Sequence, residues 1–75
     1  MARDEFTYRL TVLGMRCGMC ESHINNLIRT SFDVRKVKSS RFRKETIIIS
    51  DHEIDIEAVI NKIASAGYEA SIKED

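Results

Sequence analysis

The spacing of hydrophobic residues switches between two periods along this chain, and the order of the two limits the fold more than any other feature. Residues 6–12 alternate apolar and polar side chains, a period of two that predicts a half-buried strand ending near Leu13. Gly14 interrupts the alternation, and over about residues 17–30 the apolar positions recur at helical spacing. The chain therefore begins with a strand followed by a helix.

The rest of the sequence predicts a hairpin, a second helix and a final strand. Residues 34–39 and 46–50 form the two strands of the hairpin, and residues 40–44 connect them. Asp55 is suited to cap the second helix at its N-terminus, and Gly67 is suited to end it. Ile54 and Val59 occupy the two positions of a hydrophobic staple, residues 69–73 form the last strand, and the apolar stripe of the helix consists of Ile56, Val59, Ile60 and Ile63.

The predicted order of elements is β-α-β-β-α-β, which indicates an α+β, ferredoxin-like fold. In this arrangement a four-stranded antiparallel sheet carries both helices on one face. A chain of 75 residues and 8.6 kDa is one small domain, residues 1–75. A core of this size leaves little room for a deep substrate cavity, so we expect no enzymatic activity.

The register of the third strand stays open at the level of sequence. Simple alternation turns Ile47 and Ile49 towards the core, whereas aligning the end of the strand with Asp51 turns Thr46, Ile48 and Ser50 inward. A slip of one residue exchanges the two faces of a strand. In either register one or more isoleucines lie on the face of the sheet away from the helices.

Cys17 and Cys20 are the only cysteines, and they stand where the first strand connects to the first helix. Unpaired N–H groups and the helix dipole favour negative charge there, and Arg16 adds a positive charge, so both thiols should ionise readily. Two thiolates suit a soft ion such as Cu(I) and leave it open to a third sulfur from another protein. His52 is predicted at the other end of the sheet, ~20 Å away, and is excluded as a ligand.

Other interpretations of the cysteine pair remain open. A C-x-x-C spacing also occurs in thiol–disulfide redox modules, although those have longer chains and usually a cis-proline facing the pair, and this chain has no proline. Zinc prefers four ligands, and only His23 is a candidate for a third. Met15 is expected to fill a gap in the core, and Met19 to face solvent, with thioether ligation as the alternative. Tyr68 either leans towards the site or packs at its rim.

The charges balance overall but are unevenly distributed. Residues 29–44 carry seven bases and one acid, whereas residues 45–75 carry two bases and eight acids. A net charge of zero argues against nucleic acid as a partner, and residues 46–50 lack the aromatics that RNA-recognition domains of the same strand order use. The basic turn at residues 41–44 is either a solvated turn or a docking site for an acidic partner. The charged N-terminus and the lack of a run of ~18 apolar residues predict a cytoplasmic protein without membrane insertion.

The segment from Gly14 to Cys20, Gly-Met-Arg-Cys-Gly-Met-Cys, and the Gly-Tyr-Glu-Ala stretch at residues 67–70 resemble the heavy-metal-associated domain family. The resemblance extends over about residues 8–73. Members of this family include copper chaperones and metal-binding modules of copper-transporting P-type ATPases. The resemblance implies that the two thiolates bind Cu(I) and pass it by ligand exchange to such an ATPase or to a similar domain. It further implies a monomer without metal that can form a metal-bridged dimer, with Ag(I), Hg(II), Zn(II) and Cd(II) as alternative ions.

The resemblance also implies roles for residues near the pair. Met15 belongs in the core, and Tyr68 belongs beside the site, as in bacterial copper chaperones. Arg16 stands where the family commonly has a small hydroxyl residue, or an acid in zinc- and cadmium-handling relatives, and the lack of an acid favours copper. Asp33 stands where the family frequently has a glycine, and Ser39 stands where it usually has an apolar strand residue. These two departures concern the partner-facing side and the stability of the domain.

Overall fold

Six elements follow one another in the predicted order. The computed structural model describes residues 5–73, so the two ends of the predicted domain, residues 1–4 and 74–75, lie outside the described residues. The elements are β1 (Phe6–Leu13), α1 (Gly18–Ser31), β2 (Lys36–Ser40), β3 (Glu45–Ser50), α2 (Ile56–Ser65) and β4 (Glu69–Ile72).

The four strands form one antiparallel sheet in the order β2-β3-β1-β4, and the two helices pack on one of its faces. This is the predicted ferredoxin-like fold, which is confirmed. The hydrophobic core lies between the sheet and the helices because each element presents one apolar face to that space. The buried hydrophobic residues are Leu10, Val12, Ile24, Ile28, Val37, Ile48, Val59 and Ile63.

The strand boundaries differ from the prediction by one or two residues. The second strand begins at Lys36 rather than at residue 34, although the Arg35 amide already donates to the Ile49 carbonyl at 2.8 Å. The third strand begins one residue earlier than predicted, and the fourth ends one residue earlier. Such shifts are small because pairing weakens gradually at the ends of strands.

The register of β3 follows the second of the two predicted alternatives. Thr46, Ile48 and Ser50 face the helices and are fully buried. Ile47 and Ile49 lie on the opposite face and are half-buried. Simple alternation of apolar and polar residues gives the wrong face in this strand, because two hydroxyl residues occupy core-facing positions.

The buried hydroxyl groups are tolerated because each has a hydrogen-bond partner. The Ser39 hydroxyl lies 3.0 Å from the Thr46 hydroxyl and donates to Asn25 Oδ1 at 2.7 Å. The Ser50 hydroxyl accepts from the His52 amide at 3.2 Å. Among residues 5–73 no buried side-chain nitrogen or oxygen lacks a partner, so these positions do not carry the cost of an unpaired polar group.

The topology brings three connections to one end of the sheet: residues 14–17, 41–44 and 66–68. A side chain at Gly14 would lie 3.4 Å from Tyr68 Cδ1, and one at Gly18 would lie 3.6 Å from Arg41 Nη1. The segment around His52 lies at the other end, where Tyr8 Oη accepts a hydrogen bond from the Ile54 amide. The predicted separation of His52 from the cysteines is confirmed.

Candidate metal site

Cys17 is the N-cap residue, directly before α1. Its backbone is extended, with φ −156° and ψ 177°, and its carbonyl accepts hydrogen bonds from the amides of Cys20 at 3.0 Å and Glu21 at 3.4 Å. Its side chain makes no capping hydrogen bond and is exposed. The Cys17 sulfur therefore does not cap the helix, and it can be reached from outside the molecule.

Cys20, one turn further along, is a free thiol whose pKa is lowered from 9.0 to about 7. The largest cause is a hydrogen bond from the Arg16 amide, followed by the Tyr68 hydroxyl and the Cys17 amide, and the Cys17 thiol also contributes. Donors aimed at a sulfur stabilise the thiolate more than the thiol. The direction of this shift agrees with the predicted ready ionisation in the case of Cys20. Arg16 acts here through its backbone N–H.

Tyr68 reaches the cysteines because of the way α2 ends. Gly67 has φ +99°, its amide donates to the Ala64 carbonyl at 3.0 Å, and the Tyr68 amide donates to the Ile63 carbonyl at 3.4 Å. This pair of bonds is a Schellman motif, which favours glycine because of its left-handed residue. The turn directs Tyr68 to the cysteine end, where its ring contacts Gly14 and its hydroxyl approaches Cys20.

The other predicted site residues occupy different surroundings. Met15 is half-buried and packs against the core, as a gap-filling methionine would. Arg16 and Met19 are exposed, and Met19 has 80% of its surface accessible. Of the five predicted residues, the structure thus gathers Cys17, Cys20 and Tyr68, together with the Arg16 backbone, whereas Met15 packs against the core.

His23 does not join the cysteines. Its Nδ1 lies 3.4 Å from the Tyr68 hydroxyl, and the two rings meet edge to face with centroids 6.0 Å apart. Within the part of the chain that the structure describes, no three His, Cys, Asp or Glu side chains are grouped as metal ligands. The sulfur pair therefore has no third protein ligand of these types in this arrangement.

Sequence reasoning missed the contact between Glu21 and Arg41. The Glu21 carboxylate accepts a hydrogen bond from the Arg41 amide at 2.6 Å and pairs with Arg41 Nη1 at 3.3 Å. This contact joins the first turn of α1 to the hairpin turn. The Arg41 guanidinium also stacks on the ring of Phe42, a residue that is 80% exposed in the hairpin turn. The available signal was an acid in the first helical turn and a base in a turn predicted at the same end.

Comparison with known proteins gives matches in structure only. No family model matches the chain, and no curated protein sequence matches it. The structure resembles oxidised MerP from Ralstonia metallidurans CH34, with 25% identity over 93% of this chain and 99% of that chain and a TM-score of 0.81. It also resembles the yeast copper transporter domain Ccc2a, solved in apo and Cu(I)-loaded states, with 28% identity over 92% and 96% of the chains and a TM-score of 0.82.

A third similar structure is the N-terminal domain of ZntA in its Zn(II) form. It shares 26% identity with this chain over 91% of this chain and 92% of that chain, with a TM-score of 0.76. None of the helices within residues 5–73 is long and apolar enough to cross a membrane. The chain is thus similar to these metal-binding domains in fold over nearly its whole length, and with its Cys-x-x-Cys pair it resembles the heavy-metal-associated family.

Proposed function

We propose that the chain binds one soft metal ion, Cu(I), through the thiolates of Cys17 and Cys20 and passes it to a partner protein. The observation that carries this proposal is the pair of free thiols at the start of α1, of which Cys17 is exposed and Cys20 receives hydrogen bonds that lower its pKa to about 7. Thiolate is the form of cysteine that binds metal. The chain acts as a carrier in this proposal, without catalysis of its own.

The number of ligands favours Cu(I) over divalent ions. Zn(II) prefers four ligands in a tetrahedron, and the described residues group no more than the two sulfurs. Soft thiolate ligands select Cu(I) and bind Ag(I) and Hg(II) for the same reason. The structural relatives include a domain described with Cu(I) and one described with Zn(II), so metal binding is a common property of them and Cu(I) is the choice that this donor set supports.

Transfer follows from the exposure of the pair. A thiolate from a partner can attack the bound ion and form a third Cu–S bond, after which one Cu–S bond to this chain breaks. A second exchange of the same kind completes the transfer, and the released thiolates become available for protonation. Copper stays Cu(I) throughout because only ligands are exchanged.

The proposed partner is the metal-binding domain of a metal-transporting P-type ATPase or a similar domain in the cytoplasm. Arg43 and Lys44 lie on the exposed hairpin at the cysteine end. An acidic surface on the partner would be attracted there, since rim charges speed the encounter and select the partner. In the absence of a partner, two copies can share one ion as a metal-bridged dimer.

Titration of the reduced protein with Cu(I) against a competing chelator tests the proposal. We expect one tight site per chain, with binding lost in Cys17→Ser and in Cys20→Ser. Met19→Leu is the matched control, because it removes the neighbouring thioether and should leave the affinity unchanged. Wild-type affinity in the double serine variant would show that the metal binds elsewhere.

A further inference from the structure

The cysteine end of the molecule carries most of the large apolar side chains that the fold leaves exposed. Among residues 5–73 four such residues are exposed, and three belong to this end: Leu13, Met19 and Phe42. Leu13 is the last residue of β1, Met19 lies between the two cysteines in sequence, and Phe42 lies in the hairpin turn. The fourth, Ile72, is at the end of β4 that points away from the cysteines. A single exposed apolar residue is ordinary, whereas exposed apolar residues gathered at one end are typical of an interaction surface.

Phe42 is held beside the start of α1 by its neighbour Arg41. The Arg41 guanidinium carbon lies 4.4 Å from the centre of the Phe42 ring, and Arg41 Nη1 would lie 3.6 Å from a side chain at Gly18. The Glu21 carboxylate fixes Arg41 through bonds to its amide at 2.6 Å and to Nη1 at 3.3 Å. The guanidinium covers part of the ring, yet Phe42 keeps 80% of its surface exposed. An aromatic side chain that is already fixed loses little conformational entropy when a partner binds it.

The exposed charged residues around this surface are mainly basic. Arg16, Arg43 and Lys44 are exposed, and Glu69, at the start of β4, is an exposed acid at the same end. The Glu21 carboxylate is already paired within the molecule, so it offers little free negative charge. Phenylalanine, methionine and arginine are enriched in protein interfaces, whose apolar centre is surrounded by a polar rim. The surface that complements this end is therefore an apolar centre with an acidic rim.

We propose that Phe42, together with Met19, is the apolar anchor on which the partner in metal transfer docks, and that Arg41 positions the Phe42 ring for this contact. The partner is a second domain of this fold that presents an acidic rim around an apolar centre at its own cysteine end. This inference rests on the proposed function, because the partner's sulfurs reach Cys17 and Cys20 only when the partner covers this end of the molecule. The bases on the rim speed the encounter, whereas the apolar anchor slows dissociation during the ligand exchanges.

A modified copy of this chain serves as the acceptor in the test. It carries Arg43→Glu and Lys44→Glu, so that it presents acids beside the same exposed apolar residues, and it is labelled with ¹⁵N. Native mass spectrometry follows the transfer of Cu(I) to this copy from wild type, from Phe42→Ser and from Ile72→Ser. Ile72→Ser is the matched control, because it also replaces an exposed apolar residue by serine, but away from the cysteines. Circular dichroism verifies the fold of each donor, and chelator competition measures its Cu(I) affinity.

We expect Phe42→Ser to slow the transfer at least about fivefold, because truncation of an anchoring side chain weakens a complex by such a factor. Ile72→Ser should stay within about twofold of the wild-type rate, and both variants should keep the wild-type Cu(I) affinity. The slowing by Phe42→Ser should persist at an ionic strength of ~1 M, set with sodium nitrate, where the screening length is about 3 Å. An unchanged rate in folded Phe42→Ser, equal slowing by Ile72→Ser, or a slowing that disappears at high ionic strength overturns the inference.

The positioning role of Arg41 is tested at the same high ionic strength, where the loss of its charge matters little. Arg41→Ala removes the guanidinium from the Phe42 ring and should slow the transfer. It should have no further effect on a donor that already carries Phe42→Ser, because no ring is then left to position. Equal effects of Arg41→Ala in both backgrounds would show that Arg41 acts independently of Phe42.

A direct readout comes from fluorine on the ring itself. 4-Fluorophenylalanine is placed at residue 42 or, as the control, at residue 32, where Phe32 packs against the core at the other end of α1. The ¹⁹F resonance at residue 42 should shift when the Cu(I)-loaded protein is mixed with the acidic copy, and the one at residue 32 should stay in place. An unshifted resonance at residue 42 would contradict the anchor while Cu(I) binding and transfer stand. Failure of wild type to bind or transfer Cu(I) at all would instead reject the proposed function.

Discussion

Tyr68 brings its hydroxyl to Cys20 from the turn that ends the second helix, and each group changes the acidity of the other. The thiolate raises the pKa of the Tyr68 hydroxyl, chiefly by accepting its hydrogen bond. In the other direction, the Arg16 amide is the largest influence on the pKa of Cys20 and the Tyr68 hydroxyl is the second. The contact thus links the ionisation of the cysteine pair to a residue far away in sequence.

Tyr68→Phe should raise the pKa of Cys20 from about 7 towards 9.0, because the thiolate loses one of its donors. The rate of alkylation by iodoacetamide follows the thiolate fraction, so its rise with pH would move to higher pH in the variant. Both proteins carry Cys17→Ser, which leaves one thiol to titrate. Tyr8→Phe, at the other end of the sheet, is the control and should leave the profile in place. Identical profiles for Tyr68→Phe and its parent would contradict the contact.

The register of β3 predicts unequal costs for two neighbouring substitutions. Ile48→Ala removes a fully buried side chain and should lower the free energy of unfolding by about 3 kcal/mol. Ile49→Ala removes a half-buried side chain from the open face of the sheet and should cost about 1 kcal/mol or less. Urea denaturation measures both values. Equal costs, or a larger cost at Ile49, would indicate the other register.

The basic hairpin predicts that charge controls the rate of metal transfer. A copy of this chain with Arg43→Glu and Lys44→Glu presents acids at its cysteine end, where wild type presents bases. Cu(I) should pass from wild type to this copy about fivefold faster than between two wild-type molecules at low ionic strength, because opposite charges speed the encounter. Mass spectrometry with one ¹⁵N-labelled partner follows the exchange.

Salt provides one check on that prediction, since an electrostatic advantage should fade as the ionic strength rises towards ~1 M and the screening length falls to about 3 Å. Glu53→Lys provides a second check. It changes a charge near the end of the molecule away from the cysteines, so it should not alter the rate of Cu(I) transfer. A rate advantage that is insensitive to salt would point to a cause other than charge.

Much of the fold and the central pair of the site could be predicted from the sequence. The period of the apolar residues predicted all six elements, and Asp55 caps the second helix as expected, accepting hydrogen bonds from the amides of Glu57 and Ala58. The spacing of Cys17 and Cys20 indicated a ligand pair at the start of a helix. These features are local, because each depends on residues within a few positions of one another.

The tertiary structure decided what local spacing leaves open. The facing of Ile48 and Ile49 depends on which strand pairs with β3 and on whether buried hydroxyls find partners. The donors to Cys20 include Tyr68, and the carboxylate of Glu21 bonds to Arg41, and in both cases the partner comes from a different element. The sequence by itself determined which elements form and that the two cysteines stand together at the start of α1. Only the folded chain determined which side chains surround those sulfurs, because hydrogen bonds and packing between elements act across distances that no local pattern encodes.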